Sequence, residues 1–110
     1  MRSRVPERGD LVWLDFQPQA GHEQAGRRPA LVLSHRAYNA KVGLAVFCPI
    51  TSKAKGYPFE VPVNVAGLTG VVLADQIKSL DWQSRRAELI AAAPTELLAE
   101  VIAKVRAIID

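Results

Sequence analysis

Cysteine is almost absent from this chain of 110 residues, which contains only Cys48. No disulfide can therefore form within the chain, which fits a reducing compartment. Because Cys48 lies in the apolar segment GLAVFCPI (43–50), we expect it to be a buried small hydrophobic residue. Long hydrophobic runs are also absent, and the charged start MRSRVPERGD lacks the apolar core of a signal peptide. We therefore expect a soluble, cytoplasmic protein.

Motifs that hold metals or cofactors are missing as well. The two histidines, His22 and His35, stand alone, and the sequence has neither an HExxH motif nor paired CxxC motifs. Glycine-rich nucleotide motifs and the GxSxG elbow of serine hydrolases do not occur. The sequence therefore predicts no metal and no cofactor, and the enzymatic activity that fits it most easily needs neither.

The chain does have enough apolar material for a core and a moderate excess of positive charge. Hydrophobic residues make up 49% of the sequence, and its length suits one domain, residues 1–110. The formal net charge is +3, and the basic residues lie mainly in predicted loops and ends. This distribution is compatible with a polyanionic partner, although each basic residue taken alone fits an ordinary solvated surface.

Six segments are predicted to be strands because they are short, rich in apolar and β-branched residues, and bounded by glycine and proline. They are residues 10–16, 29–35, 43–50, 59–63, 70–77 and 86–92. Pro62 favours an edge or a bulge for the fourth of them. Short strands at this close spacing predict a small barrel or a strongly bent sheet, with a helical turn expected within 34–43.

The end of the chain has a different pattern. Within residues 94–110, apolar side chains recur at helical spacing and share one face. They are Leu97, Leu98, Val101, Ile102, Val105, Ile108 and Ile109. We expect an amphipathic C-terminal helix that packs on the sheet, in a fold that is mainly β with α.

Two polar segments next to apolar strands carry the candidate chemistry. Arg28 closes the glycine-hinged loop GHEQAGRRP (21–29), and the proline that follows biases its backbone toward an extended conformation. Its planar guanidinium matches a phosphate. Thr51 begins the segment TSKAKGYP (51–58) directly after a core strand, and Glu23 is placed to orient Arg28 or to move a proton. For each residue alone a surface ion pair is the simpler explanation, but the combination indicates an anion site.

Three blocks of the sequence resemble the MazF/PemK family of toxin endoribonucleases from type II toxin–antitoxin systems. They are GDLVWLDFQPQAGHEQAGRRPALVLS (9–34), TSKAKGYPFEV (51–61) and GVVLADQIKSLDW (70–82). The blocks follow the family's order and spacing, and the resemblance runs from about Arg8 through the C-terminal helix.

The resemblance implies a small SH3-like β-barrel, formed by a strongly bent antiparallel sheet, with a C-terminal helix, acting as a homodimer. It implies sequence-specific cleavage of single-stranded RNA (mRNA or rRNA) without metal. Attack by the 2′-OH would leave a 2′,3′-cyclic phosphate and a 5′-OH end. The implied partner is a cognate MazE-like antitoxin whose acidic C-terminal tail occupies the RNA groove. Operator DNA would be contacted only through the antitoxin complex, and no membrane is involved.

On the matching motifs, the family's catalytic arginine falls on Arg28, its catalytic threonine on Thr51 and its loop glutamate on Glu23. A guanidinium is a poor base at neutral pH, so we expect Arg28 to act as an electrostatic clamp and Glu23 as the base. Arg27 departs from the family, since close relatives often have histidine at this position.

Other side chains are expected to bind RNA by holding phosphates or contacting bases. They are Gln24, Arg27, Lys53, Lys55, Tyr57, Lys78, Arg85 and Arg86. Either Tyr57 or Trp82 would stack on a base. Two alternatives stay open: a non-catalytic SH3-like module that binds nucleic acid or protein, and a CcdB-like gyrase poison. The ending RAIID lacks the Trp-Ile type of end that the second would need.

Overall fold

The computed structural model describes residues 4–16 and 26–110, in which seven strands form one antiparallel sheet. The strands are β1 (Asp10–Asp15), β2 (Arg27–Val32), β3 (Leu44–Thr51), β4 (Glu60–Val65), β5 (Leu68–Leu73), β6 (Lys78–Asp81) and β7 (Glu88–Ala92). Helix α1 (Arg36–Val42) lies between β2 and β3, and helix α2 (Thr95–Ile109) follows β7. The strand order is β4-β5-β3-β2-β1-β7, and β6 also pairs with β3. The mainly β fold with a C-terminal helix is confirmed.

The sheet bends where β3 changes its partner. Residues 44–47 of β3 pair with β6, whereas Ile50 and Thr51 pair with β5. Because β5 and β6 lie beside different ends of the same strand, the sheet curls and leaves an opening between them. The connection from β5 to β6, residues 74–77, borders this opening.

Both faces of the sheet carry apolar clusters, because successive side chains of a strand point to opposite faces. On β1, Leu11 belongs to the first cluster and Leu14 to the second. Helix α2 covers the first cluster with three buried side chains of one helical face, Leu97, Val101 and Val105. Phe47 and Trp82 belong to the second. The double-sided core fixes β1, β2 and β3, and with them the positions of their ends.

The apolar stripe of α2 extends past the sheet. The predicted amphipathic helix is confirmed, with Leu98 and Ile102 partly buried against the first cluster. Ile108 and Ile109 do not pack there, since they are 45% and 70% exposed. Within the described parts of the chain, neither helix is long and apolar enough to cross a membrane.

The hairpin of β4 and β5 forms one edge of the sheet. Pro62 lies on β4, which agrees with the predicted edge position, because an edge strand tolerates a residue without an N–H. Ala66 and Gly67 connect the strands with φ values of 52° and 80°. Two positive φ values in a two-residue loop are typical of a type I′ turn, which matches the twist of the strands.

The observed elements differ from the predicted ones only over short segments. Strand β6 was not expected, because KSLD is short and polar and gains its conformation by pairing with β3. The helical turn expected within 34–43 is α1. Cys48 is fully buried, as expected, and burial raises the pKa of its thiol to about 12.

Candidate active site

Arg28 and Thr51 lie just beyond the paired end of the β2–β3 ladder. Ala30 is paired with Pro49, and continuing this antiparallel register outward by two residues brings Arg28 opposite Thr51. Both residues line the same cavities at the bend of the sheet. Arg28 is exposed and Thr51 is partly exposed, so both side chains are open to a ligand.

The hydroxyl of Thr51 is oriented by the turn that follows it. Its oxygen accepts a hydrogen bond from the backbone N–H of Lys53 over 3.2 Å. A hydroxyl that already accepts keeps its hydrogen to donate, and Thr51 lines the cavity in which a ligand would bind.

Gly70 of β5 allows the strand to pass close to Thr51. A Cβ at Gly70 would lie 3.0 Å from the carbonyl carbon of Thr51, closer still to its oxygen, and 3.2 Å from the Cα of Ser52. These are backbone atoms that cannot rotate away, so the position requires glycine. The packing of β5 therefore fixes the backbone from which the Thr51 hydroxyl extends.

Three adjoining cavities of 710, 390 and 420 Å³ meet at Arg28 and Thr51 and form one groove. Most of the side chains predicted to bind RNA line it: Lys53, Lys55, Tyr57, Lys78 and Arg85. With Arg28, these side chains place five positive charges along the groove. A polyanion is the class of ligand that such a surface attracts.

Tyr57 projects into the largest cavity and is 50% exposed. The Asp75 carboxylate raises the pKa of the Tyr57 hydroxyl, first by its polar interaction with the phenol O–H and second by its negative charge. The phenol is therefore neutral at physiological pH, and its ring offers a face on which a base can stack.

Arg27 faces away from the groove, because neighbouring residues of a strand alternate between its faces. Its guanidinium donates to Asp15 Oδ1 over 2.8 Å, and to Glu88 Oε1 and the Arg86 carbonyl oxygen over 3.0 Å. Arg86 Nε donates to Asp15 Oδ2 over 2.8 Å. We call Asp15, Arg27, Arg86 and Glu88 the ion-pair cluster. The structure thus does not bring Arg27 and Arg86 together with Arg28 and Thr51.

The ion-pair cluster depends on the carboxylate of Asp15. Hydrogen bonds from Arg86 and Arg27 hold the pKa of Asp15 below its ordinary value of 3.8, against the opposing effect of burial. The same interaction with Asp15 raises the pKa of Arg86. The backbone of Arg86 has a φ of 55°, a conformation that non-glycine residues seldom adopt.

Arg85 lies between the groove and the end of β1 that carries Asp15. Its guanidinium donates to the carbonyl oxygens of Phe16 and Asp15 over 2.9 and 3.3 Å, and its side chain also lines the groove. Two of its donors are therefore occupied by the backbone at the end of β1, while the charge remains beside the groove.

The expectation that Trp82 stacks on a base is wrong. Trp82 is only 6% exposed and belongs to the second apolar cluster. Its indole N–H donates to the carbonyl oxygen of Asn39 over 2.9 Å. Asn39 is itself fully buried, with its amide bonded to Pro6 and Ser34. Trp82 therefore fixes α1 against the sheet.

Two predicted site residues, Glu23 and Gln24, lie outside the described residues. Sequence reasoning in turn missed Glu60, Asp75 and Gln76, which line the largest cavity. Glu60 and Asp75 lie within two of the blocks that resemble the family. Their position in these blocks could have marked them as candidates. Among residues 4–16 and 26–110, no group of three or more His, Cys, Asp or Glu side chains is arranged to hold a metal ion.

Comparison with known proteins identifies the family of this chain. The family model for the PemK-like, MazF-like toxin of type II toxin–antitoxin systems matches residues 7–109. The chain belongs to this family. It is 47% identical over 105 residues to the endoribonuclease toxin MazF of Escherichia coli K12, covering 96% of this chain and 95% of the relative.

Two solved structures of MazF are similar to this chain in sequence and fold. A crystal structure of MazF (Form-I) from Deinococcus radiodurans is 60% identical, with a TM-score of 0.87, and the match covers 97% of this chain and 98% of that one. A MazE-MazF complex (Form-III) from the same organism is 58% identical, with a TM-score of 0.88, covering 96% and 97% of the two chains.

Proposed function

We propose that this chain is an endoribonuclease toxin that cleaves single-stranded RNA and is neutralised by a cognate MazE-like antitoxin. The observation that carries the proposal is that Arg28 and Thr51 line one groove together with several lysine and arginine side chains. Membership of the toxin family supports it, as do a relative named as an endoribonuclease toxin and a similar MazF solved together with MazE.

The proposed reaction uses a nucleophile that RNA itself supplies. The 2′-oxygen attacks the adjacent phosphorus as its proton passes to a base, and the bond from phosphorus to the 5′-oxygen breaks as that oxygen takes up a proton. The products are a 2′,3′-cyclic phosphate and a 5′-OH end. Negative charge builds on the non-bridging oxygens in the transition state, which is where Arg28 and the Thr51 hydroxyl act.

The proton transfers are assigned on chemical grounds. We propose Glu23 as the base, because a carboxylate accepts a proton far more readily than a guanidinium does. Arg28 stays charged and stabilises the phosphorane. Lys53, Lys55, Lys78 and Arg85 would hold flanking phosphates, while Tyr57 stacks on a base and contributes to sequence specificity.

We further propose that cleavage needs no metal ion, because the nucleophile is internal and Arg28 supplies the positive charge. Incubating the protein with a long unstructured RNA in excess EDTA, then mapping the ends, tests both function and metal independence. Discrete 5′-OH ends are expected. RNA that stays intact with and without divalent ions would favour a binding module, whereas rescue by one specific cation would contradict metal independence.

The same groove is proposed to receive the acidic tail of the antitoxin, since both ligands are anionic. RNA and an acidic antitoxin peptide should then compete, and Lys53→Glu should weaken the binding of both. We propose that one domain, acting as a cytoplasmic homodimer, forms the functional unit, with operator DNA contacted only through the antitoxin complex. Simultaneous binding of RNA and peptide, or sedimentation as a monomer at micromolar concentration, would contradict these points.

A further inference from the structure

The segment that carries Lys53, Lys55 and Tyr57 into the groove has no apolar anchor of its own. Every residue from position 52 to position 58 is exposed. Ordering a segment costs conformational entropy for each residue, and no buried side chain offsets it here. The path of residues 52–58 must therefore be fixed by polar contacts.

Glu60, the first residue of β4, supplies most of these contacts. Its carboxylate accepts the backbone N–H of Lys55 over 3.0 and 3.2 Å, of Gly56 over 3.0 Å and of Tyr57 over 3.3 Å. Its own N–H donates to the carbonyl oxygen of Tyr57 over 3.0 Å. Three successive N–H groups that converge on one anion form a nest. Gly56, with a φ of 76°, provides the turn that this arrangement needs.

Helix α2 holds the same segment from the other side. Lys104 Nζ donates to the carbonyl oxygen of Pro58 over 2.7 Å and lies 6.0 Å from the centre of the Phe59 ring. The Tyr57 and Phe59 rings are also 6.0 Å apart. The segment is thus fastened at its C-terminal end by α2, while its middle, which faces the groove, depends on Glu60.

We propose that Glu60 is a positioning residue for RNA binding. Its carboxylate holds the backbone of residues 55–57 so that Lys55 and Tyr57 face the RNA; this inference rests on the proposed function. Glu60 is also a negative charge on the wall of a groove for a polyanion. Charge repulsion alone predicts that removing it strengthens RNA binding, whereas positioning predicts that removing it weakens RNA binding. The two explanations therefore differ in the sign of the effect.

The test measures KM and kcat on a fluorogenic RNA oligonucleotide, and Kd for its 2′-O-methyl analogue, which lacks the nucleophile. Glu60→Ala should raise KM and Kd about tenfold, equivalent to about 1.4 kcal/mol, and leave kcat within about threefold. Glu60→Gln keeps one oxygen acceptor and should fall between Glu60→Ala and the wild type. The matched control is Glu100→Ala, which removes an exposed carboxylate from α2. It should leave KM and Kd unchanged.

A second measurement is independent of RNA. Amide hydrogen exchange in the free protein should accelerate at Lys55, Gly56 and Tyr57 in Glu60→Ala and stay at wild-type rates in Glu100→Ala. If the wild type itself neither binds nor cleaves RNA, the proposed function fails and the inference fails with it. If the wild type cleaves RNA, but Glu60→Ala and Glu60→Gln bind it equally well or more tightly, the proposed function stands and the positioning role of Glu60 is overturned.

Discussion

Arg27 and Arg28 are consecutive in the chain, but they belong to opposite regions of the molecule. Arg27 is 18% exposed and donates to Asp15, Glu88 and the backbone of Arg86. Arg28 is exposed beside Thr51, and no acid of residues 4–16 or 26–110 forms an ion pair with it. Strand alternation separates the two guanidinium groups, directing one to the ion-pair cluster and the other to the groove.

The difference lies in how the donors of each guanidinium are used. An arginine whose donors already contact a carboxylate gives up those bonds before it can bind a phosphate. Three of the five N–H donors of Arg27 are already used, by Asp15, Glu88 and the Arg86 carbonyl oxygen. We therefore expect side chains on the groove side of β2 to determine catalysis and those on the opposite side to determine stability.

Replacing Arg28 tests the groove side and should have the largest effect on cleavage. Arg28→Ala should lower kcat about 100- to 1,000-fold, the usual cost of losing one donor that stabilises a transition state. The melting temperature should stay close to that of the wild type, because the side chain is exposed. Arg36→Ala, which removes an exposed arginine from α1, is the control for charge. Near wild-type cleavage by Arg28→Ala would contradict a catalytic role for the groove side of β2.

Gly70→Ala perturbs the groove side without removing a polar group. The new methyl group would press on the backbone of Thr51 and Ser52 and displace the hydroxyl from its position. We expect kcat to fall about tenfold, since a displacement of about 1 Å can cost up to about 100-fold. Gly67→Ala, where a Cβ would meet no atom within 4 Å but φ is 80°, controls for loss of a glycine in the same hairpin. Equal cleavage by both variants would contradict the role of Gly70.

Replacing Arg27 tests the opposite side of β2. Arg27→Ala leaves Asp15 with Arg86 as its partner and should lower the free energy of unfolding by about 1–2 kcal/mol. Cleavage at 25 °C should stay within about threefold of wild type. Urea unfolding and single-turnover kinetics on the same preparation separate the two effects. A loss of cleavage as large as that of Arg28→Ala, with stability unchanged, would place Arg27 in the RNA site.

The separation of these two arginines could not be read from the sequence. The pattern places the strand at 29–35, so both arginines fall in the preceding loop, where alternation has no meaning. The structure begins β2 at Arg27, two residues earlier, because Asp15 and Leu14 of β1 pair with Arg27 and Arg28. Local sequence patterns predicted β1, β3, β4, β5, β7 and α2, since their apolar periodicity is strong, but they missed the short polar strand β6.

That two candidate residues share one groove was predictable where each adjoins a strand with a clear apolar pattern, as Arg28 and Thr51 do. Glu60 and Trp82 were missed or misjudged for a different reason. Trp82 bonds to Asn39, 43 positions away, which local patterns do not connect. Glu60 bonds to residues only three to five positions before it, but through a turn that apolar periodicity does not describe. Gly70 is needed because β5 passes close to the backbone of Thr51 and Ser52. The block GVVLADQIKSLDW alone does not reveal that contact.

The smallest effect on cleavage is expected at Asp15, whose contribution is to the stability of the fold. Because its pKa is lower in the folded than in the unfolded protein, the ionised carboxylate stabilises the fold above about pH 4. That contribution is lost as the pH falls below 3.8 toward the lower folded pKa. Asp15→Asn lacks the titration, so the stability gap between wild type and variant should be full at pH 7 and should narrow below about pH 4.

Urea unfolding at pH 7, 5, 4 and 3 would measure this gap, with Glu100→Gln as the control for an exposed carboxylate of α2. Cleavage at pH 7 should be nearly the same in Asp15→Asn and wild type, because the ion-pair cluster lies on the side of β2 away from Thr51. A gap that stays constant from pH 7 to pH 3 would show that Asp15 does not stabilise the fold through its charge. A large loss of cleavage in a well-folded Asp15→Asn would show that the two sides of β2 are coupled through the backbone that Arg27 and Arg28 share.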